Sequence, residues 1–217
     1  MKIKIAIALL LVFGIASQLN AATINLNWST DSQSYHPIAR LNTGINVYIG
    51  SFSGNLDGTA IPNTYCVDLG HYLNGIPTSY AVVDSMTNKP NGFNFPAGNA
   101  GRVAWLVNTY APQVDTGIEA AALQLALWEA AYETNGSLDI GNGAFSASTD
   151  SAVILQANIW LGTVGVNTSV ARFFDYQGIG RGGQDMITIA SVPEPMTLIL
   201  LGSGLLGIVG FRKRFRR

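Results

Sequence analysis

Residues 116–136 read TGIEAAALQLALWEAAYETNG, and the fold class turns on them. Thr116 and Glu119 stand at capping-box spacing, where each side chain satisfies a backbone N–H left orphaned at a helix start. Alanine and leucine, both strong helix formers, fill the next turns. Asn135-Gly136 then supplies residues that tolerate the left-handed conformation at which helices stop. The predicted helix is apolar nearly all round, so it belongs inside a domain rather than on its surface. Gln124, set among Ala122, Leu123, Leu125, Ala126, Leu127 and Trp128, therefore carries a primary amide that needs partners or costs about 1–3 kcal/mol. Glu129 and Glu133, at i and i+4, read as a solvated face of the helix.

Two more helices flank this one in sequence. In GRVAWLVNTY (101–110), Val103, Leu106, Val107 and Tyr110 fall at i, i+3, i+4 and i+7, stopped by Pro112. TDSAVILQANIWLG (149–162) predicts the third. On either side the pattern is strand-like: INVYIG (45–50) and SYAVVD (79–84) before, SVARFFDY (169–176) and DMITIA (185–190) after, with Gly, Asn and Ser turns between. The expectation is an α+β domain over 23–190, an antiparallel β-rich sandwich or barrel with a helical insertion that carries Gln124.

The two ends read as addresses. Lys2 and Lys4, an apolar run from Ile5 to Ile15, and Leu19-Asn20-Ala21 make a secretory signal over 1–22, with cleavage expected after Ala21 or Ala22. At the other end, Met196 to Phe211 is free of charge, about 24 Å as a helix. Arg212, Lys213, Arg214, Arg216 and Arg217 follow and mark the cytoplasmic side of a membrane-spanning helix. With residues 1–22 and 194–217 removed, five basic residues face twelve acidic ones, a net charge near −7 beneath an overall −1. So acidic a body excludes nucleic-acid binding, for which no basic stripe exists.

Val192-Pro193-Glu194-Pro195, the apolar stretch 196–211 and the basic tail 212–217 together resemble the PEP-CTERM sorting signal of Gram-negative bacteria. The resemblance, over 191–217, implies an inner-membrane-anchored precursor, processing by an exosortase near the Pro-Glu-Pro motif, and release to the cell surface or extracellular matrix.

Cys66, in TYCVDLG (64–70), is the only cysteine. An exported chain with one thiol points either to a small buried hydrophobe or to an intermolecular or reactive sulfur. One cysteine with His36 and His71 is too small a set for zinc, and no cofactor-binding motif is present. Cys66 with His71 as an enzyme's nucleophilic pair lacks the local signature of papain-like proteases.

Tyr65-Cys66-Val67-Asp68 and Gln124-Leu125-Ala126-Leu127-Trp128 resemble the two motifs of the thioester domains of bacterial surface adhesins. That resemblance, over roughly 64–131, implies a Cys66–Gln124 thioester, formed with loss of ammonia and spent once on an extracellular amine- or hydroxyl-bearing polymer or protein. No turnover is expected, and the outcome is adhesion or biofilm-matrix crosslinking. Tyr65 and Trp128 would shield the bond from water; Asp68 and His71 stand close in sequence as supporting groups. A different class of function is a non-covalent matrix or carbohydrate-binding module, with Cys66 inert and Trp28, Tyr48 and Tyr80 offering stacking surfaces.

Overall fold

The computed structural model describes residues 21–28, 36–56, 58–71, 73, 78–83, 98–176 and 183–190. Residues 1–20 of the expected signal and all of the expected sorting signal, 191–217, lie outside the described residues. Among those described, no helix is long and apolar enough to cross a membrane.

The strands are β1 (Ala21–Trp28), β2 (Ile38–Leu41), β3 (Asn46–Tyr48), β4 (Phe52–Leu56), β5 (Thr59–Cys66), β6 (Thr78–Val83), β7 (Ala147–Ser148), β8 (Arg172–Tyr176) and β9 (Met186–Thr188). Six of them close into an antiparallel barrel in the order β1-β4-β5-β9-β8-β6, and the other three form a small sheet, β3-β2-β7. A barrel leaves no open edge. The expected α+β class holds, with the barrel rather than the sandwich.

The helices α1 (Asn99–Tyr110), α2 (Gly117–Tyr132) and α3 (Ser151–Leu161) enter between β6 and β8. The capping box at Thr116 and Glu119 forms as expected. Helix α2 packs on both α1 and α3, and every residue from Ala120 to Ala131 is buried. Alanines along it let the neighbours approach, and Leu123, Leu125, Leu127 and Trp128 each contribute about 1.5–3 kcal/mol by leaving water. Its last carbonyls are met by α1: Asn99 Nδ2 donates to Ala131 O at 3.2 Å and Glu133 O at 2.9 Å, satisfying groups that a helix end leaves open.

Two expectations are corrected. Glu129 and Glu133 are buried rather than solvated, because the chain after α2 folds back over them. The Asp139 N–H donates to Glu129 Oε1 at 2.9 Å and the Ala144 N–H to Glu133 Oε2 at 2.7 Å. Gly143, with φ 118°, passes so close that a Cβ would collide with the Glu133 carboxylate. Tyr80, expected as a stacking surface, is buried at 1% exposure, its ring 6.5 Å from that of Phe174.

Candidate functional site

Cys66 is the last residue of β5, paired across the ladder with Met186 of β9. On its other side the β4 ladder has stopped at the Phe52–Thr64 pair. The peptide groups of Cys66 therefore face a gap in the sheet, and a buried backbone group must find a partner. Gln124 supplies both. Cys66 N–H donates to Gln124 Oε1 at 2.9 Å, and Gln124 Nε2 donates to Cys66 O at 2.8 Å. The amide from α2 acts as one rung of an absent strand, which is why a helix so apolar carries a glutamine.

The thiol itself meets a different glutamine. Cys66 Sγ donates to Gln184 Oε1 at 2.7 Å. The register accounts for it: Cys66 pairs with Met186, and the Val67 N–H reaches Asp185 O at 2.9 Å beyond the ladder. Side chains two positions apart share a face, so Gln184 lies diagonal to Cys66 on the same side, within reach of a long side chain. Gln184 is held at both ends. Its Nε2 donates to Asp68 O, and its own carbonyl accepts from Tyr80 Oη at 3.2 Å. At Gly183 a Cβ would collide with the ring of Tyr176, so only glycine admits this approach of the chain to the barrel.

After Cys66 the chain is pinned from α2. Tyr132 Oη accepts from the Leu69 N–H at 2.8 Å. Asp68, buried, accepts from the Gly70 N–H at 2.6 Å, and its other oxygen accepts from His71 Nδ1. A carboxylate only accepts, so His71 donates through Nδ1, and Nε2 is the ring nitrogen that Asp68 does not engage.

Cys66, His71, Trp128 and Gln184 share the wall of a cavity of about 380 Å³, otherwise faced by apolar side chains such as Leu41 and Phe52 and by neutral polar ones such as Asn42. Burial pushes the Cys66 thiol well above its ordinary pKa, and the charge on Asp68 adds to the effect. The free sulfur is thus held as a neutral thiol.

Of the residues expected from sequence, Cys66, Gln124, Asp68, His71 and Trp128 come together here. Tyr65 does not line the cavity: it lies on the opposite face of β5 from Cys66, fully buried. Gln184 and Tyr132 were missed. The one cue to Gln184 was the polar pair Gln184-Asp185 just ahead of the strand-like run MITIA. Among the described residues no group of His, Cys, Asp and Glu forms a metal site.

The PEP-CTERM protein-sorting motif matches residues 191–217. The match implies export, membrane anchoring before processing, and processing by an exosortase. No curated protein matches the chain.

Proposed function

We propose that the chain is an exported surface or matrix protein that closes an internal thioester at Cys66 and spends it once on an extracellular nucleophile. One observation carries this proposal: the buried thiol contacts a carboxamide, Gln184, at 2.7 Å on the wall of a cavity. Attack of sulfur on Gln184 Cδ forms the C–S bond and breaks the C–N bond, and ammonia leaves with the thiol proton. Gln124, the acyl donor expected from sequence, hydrogen-bonds the Cys66 peptide rather than the sulfur, and the thiol contact favours Gln184 in that role. A thioester is uncharged, which suits a site where burial opposes a thiolate. Trp128 and the apolar walls keep water from an activated acyl group.

The acceptor's nucleophile then attacks the same carbonyl, the C–S bond breaks, and the protein stays joined to the acceptor through the former glutamine. The intact mass of the exported protein tests this. It should be one ammonia lighter than the mature sequence, and Cys66→Ala should restore the full mass. A full sequence mass in fresh, unhydrolysed protein would overturn the proposal and leave the cavity as a non-covalent binding site.

A further inference from the structure

Resting on the thioester proposal, we infer that the acceptor is a hydroxyl group of a neutral carbohydrate, and that His71 is the base that removes the hydroxyl proton. Three observations carry it. His71 lines the same cavity as Cys66 and Gln184, and Asp68 orients it through Nδ1, leaving Nε2 to accept a proton. This is the arrangement by which a carboxylate fixes the tautomer of a catalytic imidazole. An amine attacks a thioester without such help once it has lost its proton, whereas an alcohol is a weak nucleophile that gains most from a positioned base.

The second observation is charge. Among the described residues that line the cavity there is no Asp, Glu, Lys or Arg. An amine-bearing side chain arrives as an ammonium, and this wall offers it no carboxylate. Asp68 is buried and its carboxylate is already bonded to Gly70 and His71. A neutral ligand loses nothing by that absence.

The third is the composition of the wall nearest the small sheet. Thr43 and Asn46 offer neutral donors and acceptors, Asn42 adds an amide oxygen while its Nδ2 is bonded to Ala144 O at 2.8 Å, and Tyr48 stands 63% exposed beside them. Amide and hydroxyl groups next to an exposed aromatic face match a sugar, whose hydroxyls need hydrogen bonds and whose ring carries apolar C–H faces.

The step balances. As the sugar oxygen bonds to the Gln184 carbonyl carbon, His71 Nε2 takes its proton. The C–S bond breaks, the sulfur leaves with the electron pair, and the imidazolium returns the proton to it. The products are an ester to Gln184 and a free Cys66 thiol.

The test offers the exported, processed protein three probes in parallel: a neutral glucose oligosaccharide, methylamine, and a neutral serine-containing peptide. Adducts are read by intact mass after the ammonia deficit has been measured. An oligosaccharide adduct, released by mild alkali as an ester is, is expected. In His71→Gln and His71→Ala the ratio of ester to amide adduct should fall about 100-fold, a split that loss of folding alone would not produce. Protein that has the deficit yet couples only methylamine or only the peptide overturns the inference while the thioester stands. Equal loss of both adducts in the His71 variants overturns it too, and absence of the deficit removes the inference together with the proposal it rests on.

Discussion

Replacing Gln124 with Ala should strip the strand end that carries Cys66 of its support. The variant is best made in a Cys66→Ala background, so that no covalent bond masks the result; both hydrogen bonds go to the backbone at position 66 and survive that change. The substitution leaves one N–H and one C=O without partners where the sheet has no further strand. Each buried, unsatisfied group costs about 1–3 kcal/mol, and a lost methylene adds about 0.8 kcal/mol. The total is about 3–7 kcal/mol, a large share of the 5–15 kcal/mol typical of a domain. Urea unfolding of the single and double variants gives the difference directly, as a shift in midpoint at constant slope. Gln124→Met, which keeps the volume but not the amide, should recover the packing share alone. A loss under about 1 kcal/mol in Gln124→Ala would show that the amide is not the missing rung, and the account of why α2 carries a glutamine would fail.

Glu129 should make stability fall with rising pH. Burial lifts its carboxyl from 4.5 to about 8, with the charges on Glu133 and Asp139 adding to the rise and the Asp139 N–H opposing it. The folded state thus holds a proton that the unfolded chain releases at lower pH, so stability is lost between about 4.5 and 8, at up to about 1.4 kcal/mol per pH unit. Chemical denaturation across that range should show the loss in the natural chain and a flatter profile in Glu129→Gln. Gly143→Ala should destabilise by about 2–3 kcal/mol, because the left-handed backbone and the Glu133 carboxylate both refuse a Cβ; a calorimetric midpoint within a degree of the natural protein's would refute this. Gln184→Ala should abolish the ammonia deficit and leave a free thiol at Cys66, detectable with a thiol reagent after unfolding. Persistence of the deficit would remove Gln184 as acyl donor.

The helices were legible because each declares itself locally. The Thr116–Glu119 box, the apolar faces at 3.6 spacing and the stops at Pro112 and Asn135-Gly136 need no knowledge of what lies across the fold. That Gln124 must find a buried partner was legible as well, since a primary amide in so apolar a helix demands one; that the partner is Cys66 came only from the resemblance to thioester domains. The form of their contact was not legible. Gln124 serves the peptide of Cys66 because β4 ends at its Thr64 pairing, and where a neighbouring strand ends is set by the whole barrel. Gln184 was hidden for a related reason: only the antiparallel register of β5 with β9 brings it beneath the thiol, and register depends on side-chain alternation and turns far from either residue. Glu129 and Glu133 look like a solvated pair in the helix alone. The return of the 134–146 segment, which no helical periodicity encodes, is what buries them.

The central claim is that Cys66 and Gln184 share an activated bond. Incubating the freshly prepared exported protein with methylamine, digesting it and locating the label by fragment-ion mass spectrometry tests this most directly. The account predicts an N-methylated glutamine at position 184, one equivalent per chain, with Cys66 released as a thiol in the same proportion. Label at position 124 would return the acyl donor to the helix, and an unlabelled chain whose Cys66 is free from the outset would contradict the thioester altogether.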